Sequence, residues 1–219
     1  MKFSVVITAG GSSARYGKNK LLEKINNKEV ILHSIEAFLP FNPAEIVVSS
    51  SKDFEPVLIQ LLKENNMPDV KVVLGGSTRQ ASVFNALKAC DNADIVAIHD
   101  AARPLIKKED IEKCLTKALE TKAAIVGVRA VDTIKKTDEN NKITQTPDRK
   151  TLWYVQTPQI FDYNLILQAH KQFEGQGFSD DAGLVEALGK PVYISEGSYS
   201  NIKITTKKDI YLAQMLYEA

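Results

Sequence analysis

The sequence predicts an α/β protein: a doubly wound, mostly parallel sheet with a protruding β-hairpin arm. Three observations carry this. Short β-branched runs alternate with segments of helical period through the first two-thirds of the 219 residues. Several of those runs end in glycine or polar loops, where open parallel sheets hold their ligands. One polar stretch, at about 132–150, breaks the alternation with two short runs around a turn.

Phe3-Ser4-Val5-Val6-Ile7 is short, β-branched and bounded by glycine, so it reads as a buried first strand. Residues 29–38 place Val30, Ile31, Ile35 and Phe38 at helical spacing, and Pro40 stops them. Glu45-Ile46-Val47-Val48-Ser49 is the second strand, and a helix runs from near Asp53 to Leu62. A strand at 70–74 leads into Gly75-Gly76. Ser77 or Thr78 can cap the helix that follows to about Cys90. Ile95-Val96-Ala97-Ile98 is another buried strand. Residues 109–119 form a helix with Ile111, Leu115, Ala118 and Leu119 on one face, and 123–128 a strand. Asp132-Thr133-Ile134-Lys135-Lys136 and Lys142-Ile143-Thr144-Gln145 flank the turn Asp138-Glu139-Asn140-Asn141, which reads as a hairpin. It is either a solvated surface hairpin or an arm that meets another subunit. Beyond Pro158 the pattern gives helices at 162–173 and 179–188, strands at 192–195 and 202–205, and a last helix from about Thr206. No linker, repeat or low-complexity stretch intervenes, so 1–219 reads as one Rossmann-like domain with right-handed crossovers.

An apolar content of 44% with 25% charged residues is that of a soluble globular protein. A net charge of +1 leaves no broad basic surface for nucleic acid, so any positive field must be local. The longest apolar runs are too short to span a bilayer, and no leader pattern precedes the first strand. Cys90 and Cys114 give neither zinc spacing nor a disulfide framework. The expectation is a cytoplasmic protein with reduced thiols and no nucleic-acid or membrane partner.

Four strand ends carry chemistry. The first is Thr8-Ala9-Gly10-Gly11-Ser12-Ser13-Ala14-Arg15-Tyr16-Gly17-Lys18-Asn19-Lys20. Its small residues let backbone N–H groups approach a ligand, and its cations suit a polyphosphate. By itself it reads equally as a glycine-rich turn with solvated cations, and it matches neither the P-loop nor G-x-G-x-x-G. The second, residues 75–82, brings a glycine turn to a helix N-terminus with hydroxyls and Arg79. It holds a base or ribose, or it is a capped turn. The third is His99-Asp100-Ala101-Ala102-Arg103-Pro104. A carboxylate at this place tolerates phosphates only with a cation beside it, which points to Mg²⁺ at Asp100; a structural Asp100–Arg103 pair competes. His99 reads as structural. The fourth is Lys203, which alternates with Ile202 and Ile204 and is either at an exposed edge or aimed into a site; the site is preferred. His33 and His170 have no spaced partners. No nucleophile–base pair stands out, which fits phosphoryl or nucleotidyl transfer, where positioning and charge neutralisation dominate.

Together these segments resemble the 2-C-methyl-D-erythritol 4-phosphate cytidylyltransferase family of the non-mevalonate isoprenoid pathway. The resemblance covers essentially the whole chain, in order. It rests on the A-G-G…R-x-G-x-x-K loop, Gly75-Gly76…Arg79…Ser82, His99-Asp100-Ala101-Ala102-Arg103-Pro104, Asp132-Thr133, Pro147-Asp148-Arg149, Leu152-Trp153…Gln156-Thr157-Pro158-Gln159, Ser179-Asp180-Asp181-Ala182 and Asn201-Ile202-Lys203. It implies a nucleotidyltransferase-type sheet. It also implies transfer of CMP from CTP to 2-C-methyl-D-erythritol 4-phosphate, with a divalent cation such as Mg²⁺, by a homodimer joined through the arm. Arg15, Lys20, Arg149 and Lys203 are implied as catalytic. Ala9, Gly10, Gly11, Gly76, Ser77, Ser82, Asp100 and Ala101 are implied at the nucleotide. Asp100, Arg103, Thr133, Arg149, Thr157 and Lys203 are implied at the sugar-alcohol phosphate, with Thr133 and Arg149 reaching in from a partner's arm. Asp100 is implied near the metal, directly or through water.

Two positions depart from the family pattern. Asn19-Lys20-Leu21 stands where Pro-Lys-Gln is common, so Lys18 competes with Lys20; the apolar Leu21-Leu22 pair favours Lys20. Ser77 stands where an acidic residue is frequent. A ribitol-5-phosphate cytidylyltransferase is the nearest rival reading, and a non-catalytic nucleotide-binding protein is a remoter one.

Overall fold

Alternation along β1 (Phe3–Ala9) decides the layers. Val5 and Ile7 face one side of the sheet with Ile46, Val48 and Ala97, while Val6 faces the other with Val47, Val96 and Ile98. Successive side chains of a strand point to opposite faces, so an apolar strand needs cover on both. In this computed structural model, which describes residues 1–10, 19–91 and 93–218, helices supply that cover. α1 (Val30–Glu36), α2 (Glu55–Glu64), α4 (Lys108–Thr121) and α7 (Lys207–Glu218) close the first face. α3 (Arg79–Lys88), α5 (Tyr163–Gln172) and α6 (Asp181–Ala187) close the second. Each fully buried Val, Leu or Ile contributes about 1.5–3 kcal/mol.

The sheet has seven strands. In spatial order they are β11 (Tyr193–Glu196), β7 (Ala123–Arg129), β10 (Trp153–Asp162), β6 (Ile95–Asp100), β1, β4 (Glu45–Ser50) and β5 (Lys71–Leu74). All neighbours are parallel except β10, which runs antiparallel to both β6 and β7. The mostly parallel α/β sheet is therefore present, with one reversed strand near one edge. No described helix is long and apolar enough to cross a membrane.

Three elements differ from the sequence reading. Pro158 and the polar Gln156, Thr157 and Gln159 hide β10, because proline belongs at edges or bulges. Here a register shift between Val155 and Gln159 brackets the cis Thr157–Pro158 bond. The buried Gln159 is satisfied by accepting from the amides of Asp181 and Ala182 and donating to Asp180. The strand expected at 202–205 is not a sheet strand. That segment is held instead by the Ile204 amide donating to the Ala102 carbonyl at 2.8 Å. Conversely, a small hairpin was not foreseen: β2 (Lys24–Ile25) pairs β3 (Lys28–Glu29). Asn26 and Asn27 sit at φ 46° and 63° in its turn, where asparagine tolerates the left-handed conformation.

The expected arm is a short antiparallel pair, β8 (Lys136–Thr137) with β9 (Ile143–Gln145). Asp138 closes its turn by accepting from the amides of Asn140 and Lys142. Both strands are exposed along their whole length.

Candidate active site

The loaded strand ends meet at Asp100, the last residue of β6. Its side chain is only 8% exposed, yet it stays charged because cations surround it. Lys203 Nζ donates to Oδ2 at 2.7 Å, Arg103 Nε lies 3.7 Å from Oδ2, and Arg79 Nε lies 3.5 Å from Oδ1. Thr8, near the end of β1, donates to Oδ1 at 3.2 Å. Burial opposes ionisation of Asp100, but Lys203, Arg79 and Arg103 together hold its carboxyl far below the ordinary carboxylate range.

Arg79 is a residue that sequence reasoning did not put among the site residues. It opens α3, with the Thr78 side chain capping that helix and accepting from the Ala81 amide. Arg79 also reaches Asp181 Oδ2 at 2.8 Å, and Asp181 in turn pairs with His170 at 3.1 Å. Burial lowers the guanidinium pKa, but the two carboxylates overcome it and raise it. The available signal was Arg79 at a helix start opposite the Asp180-Asp181 pair, two segments distant in sequence and joined only by folding.

Lys20 donates from Nζ to the Ile204 carbonyl at 2.7 Å, and so stands beside the segment that carries Lys203. Arg103 Nη1 donates to the Asn201 carbonyl at 2.8 Å, on the same segment. Arg79, Arg103 and Lys203 thus face Asp100, Arg79 also faces Asp181, and Lys20 stands on the neighbouring segment, four cations gathered near two carboxylates. The local excess of positive charge fits a polyanionic ligand.

At the end of β1, Ala9 is buried and Gly10 follows it. A Cβ on Gly10 would crowd Ser82 Oγ at 3.3 Å, and one on Gly76 would stand only 2.4 Å from the Ala81 Cβ, so the turn at Gly76 requires glycine. Ser82 accepts from the Gly76 amide at 3.0 Å and donates to the Thr78 carbonyl at 2.8 Å, shaping the turn. Ser77 is exposed beside it, and Ala101 is fully buried behind the Asp100 strand end. Gly11, Arg15 and Lys18 lie outside the described residues. Thr133 and Arg149 remain on the arm. Arg149 Nη1 donates to the Val131 carbonyl at 3.0 Å, and neither residue makes a hydrogen bond or ion pair with the Asp100 cluster.

Thr157 is brought to Asp100 but turned into the wall beneath it. Its hydroxyl accepts from the Asp100 amide at 3.0 Å and lies 3.0 Å from His99 Nδ1. His99 Nε2 faces the Arg103 carbonyl at 3.1 Å. A carbonyl only accepts, so Nε2 carries the ring proton and Nδ1 accepts from Thr157. The ring therefore ties both ends of the Asp100–Arg103 turn. Burial drives its pKa down to about 4. A depressed histidine favours the neutral native ring, so the unfolded chain binds more protons between pH 4 and 6.5. Native stability should then fall as pH drops through that window, by on the order of 3 kcal/mol. Urea unfolding at stepped pH should show this slope in the wild type and a shallower one in His99→Gln. Equal slopes would mean the ring titrates normally.

Among the described residues no group of three or more His, Cys, Asp or Glu could hold a metal ion. A site built on one carboxylate suits Mg²⁺, which commonly takes one or two carboxylates and completes its shell with substrate phosphates and water. Cys90 and Cys114 are free and buried, and burial pushes both thiols up to about 12.

A doubly wound sheet whose strand ends gather cations around one buried aspartate describes a nucleotidyltransferase-type enzyme. Residues 3–219 match the family described as 2-C-methyl-D-erythritol 4-phosphate cytidylyltransferase, and the chain belongs to that family. The enzyme of that name from Caldanaerobacter subterraneus subsp. tengcongensis is 44% identical, over 98% of both chains. The chloroplastic enzyme of rice is 37% identical, over 97% of this chain and 73% of the relative. The structure of 4-diphosphocytidyl-2C-methyl-D-erythritol synthase from Anaerococcus prevotii superposes with a TM-score of 0.89 at 29% identity, covering 100% of this chain and 99% of that one. The Thermus thermophilus enzyme superposes at 0.83 and 30% identity, with both chains fully covered.

Proposed function

We propose that this chain transfers CMP from CTP to 2-C-methyl-D-erythritol 4-phosphate, giving 4-diphosphocytidyl-2-C-methyl-D-erythritol and pyrophosphate. The observation that carries the reading is the cluster at Asp100, where Lys203, Arg79 and Arg103 converge on one carboxylate at the end of the central sheet. The substrate phosphate is largely dianionic near neutral pH and needs no general base. One of its oxygens attacks the α-phosphorus of CTP. The bond from that phosphorus to the bridging oxygen of the β-phosphate breaks, and pyrophosphate leaves with the electron pair. The obstacle is repulsion between two anions. Lys20, Lys203, Arg103 and Arg15 neutralise it and stabilise charge on the transferring group. Ala9, Gly10, Gly11, Gly76, Ser77, Ser82 and Ala101 line the nucleotide. Asp100 is the proposed metal residue, and a bound Mg²⁺ or other divalent cation would screen the triphosphate charge.

The chain acts as a homodimer through the arm at 132–150, with Thr133 and Arg149 completing the partner's site. Exposed apolar side chains around the arm support this: Val131 and Ile143 are each 57% exposed, Tyr154 41% and Val155 42%. A cytoplasmic, single-domain enzyme is the matching reading for 1–219. The purified protein should release pyrophosphate with CTP plus methylerythritol phosphate, only with a divalent metal, and faster than with any other nucleotide. Equal or better turnover with ribitol phosphate would transfer the assignment to that substrate.

A further inference from the structure

Asp209, the third residue of α7, makes more contacts than a helix start requires. Its Oδ2 accepts from the Thr206 amide at 2.8 Å, and its own amide donates to the Thr206 carbonyl at 3.1 Å. That exchange is a reciprocal cap and would suffice for the helix. The same oxygen also accepts from the Thr205 amide and the Thr205 hydroxyl, each at 2.8 Å.

The Thr205 amide belongs to one planar peptide unit with the Ile204 carbonyl. That bond is trans, so its N–H and C=O point in opposite directions. At one end of the unit is the Asp209 carboxylate; at the other, the Ile204 oxygen receives Lys20 Nζ at 2.7 Å. The preceding amide, that of Ile204, donates to Ala102 in the Asp100–Arg103 turn. The Ile204 side chain is fully buried, so the segment is pinned from three directions. An anion on the N–H end also polarises the peptide and strengthens its carbonyl as an acceptor for an ammonium group.

We propose that Asp209 is a positioning residue for Lys20, acting through the peptide unit between Ile204 and Thr205. Asp209 sets the direction of the carbonyl that orients the lysine, and keeps that lysine beside Lys203. The inference rests on the reading of Lys20 as a catalytic cation. It adds a residue that need not touch either substrate.

The test is a double-mutant cycle on the full-length enzyme, run below the melting temperature of every variant. Asp209→Ala should lower kcat by roughly tenfold to a hundredfold, the scale of a small misplacement of a catalytic group, with both KM values within about threefold. Asp209→Asn retains a neutral acceptor and should recover most of that loss. In a Lys20→Ala background, Asp209→Ala should cost less than about twofold more, because its effect passes through the lysine. Thr206→Ala keeps both backbone cap bonds and leaves the Thr205 peptide untouched, so its kcat should stay within about twofold. Folded Asp209→Ala with near wild-type kcat would overturn the proposal, as would an equal loss in both backgrounds. If Lys20→Ala is nearly dead and Asp209→Ala active, only the clamp fails. If Lys20→Ala is itself fully active, the catalytic reading of Lys20 fails first, and the clamp with it.

Discussion

Arg149→Ala and Lys203→Ala should each be nearly inactive alone and regain activity when mixed. Lys203 belongs to the Asp100 cluster, where its ammonium donates to Oδ2 at 2.7 Å. Arg149 sits on the exposed arm and spends a donor on the Val131 carbonyl of its own chain. An arm that crosses to a second copy would let each site combine Lys203 from one chain with Arg149 from the other. In a heterodimer of the two variants, one site then carries both defects and the other carries neither. Random pairing of equal pools makes about half of the dimers mixed, each with one intact site of two. The ceiling is about a quarter of wild-type activity, for an isologous two-fold dimer. Activity should appear on subunit exchange and be absent before it. Proven heterodimers without recovery would place Arg149 in its own chain's site and end the shared-site reading.

Lys20→Ala should reduce kcat by roughly a hundredfold to a thousandfold, the cost of removing one preorganised donor to developing charge. Lys18→Ala should cost far less. The apolar pair after Lys20 motivates the choice in the sequence, and the structure adds a physical basis. Leu21 is buried, and the Asn19 side chain caps the short turn Lys20–Leu22 by accepting from the Leu21 amide. This fixes the lysine backbone while its Nζ reaches the Ile204 carbonyl. Steady-state kinetics on both variants decide the matter. A dead Lys18→Ala beside an active Lys20→Ala would give the catalytic place to Lys18.

Much of the fold was legible because its signals are local. β-Branched runs such as Val5-Val6-Ile7 and Ile95-Val96-Ala97-Ile98 bury both faces, and neighbouring helices carry apolar residues at helical spacing. The family motifs, and Lys20, Asp100, Arg103 and Lys203 among them, were legible as residue types at strand ends. What the sequence by itself determined is therefore the layered α/β class, the hairpin within 132–150, and Asp100, Arg103 and Lys203 as charged residues that meet at one end of the sheet.

Only tertiary structure decided the rest, because the deciding energies act between residues distant in sequence. β10 carries Pro158 among the polar Gln156, Thr157 and Gln159, which interrupts its strand pattern; β6 and β7 pair with it, and Gln159 finds its partners at the start of α6. Residues 202–205 alternate like a strand, yet lie outside the sheet, where bonds to Ala102, Lys20 and Asp209 and the Lys203–Asp100 pair hold them. Arg79 and Asp181 meet across about a hundred residues to support Asp100, and burial in a low-dielectric setting gives those charges their strength. A local pattern reports which face of an element is apolar. It does not report which carboxylate a cation will find.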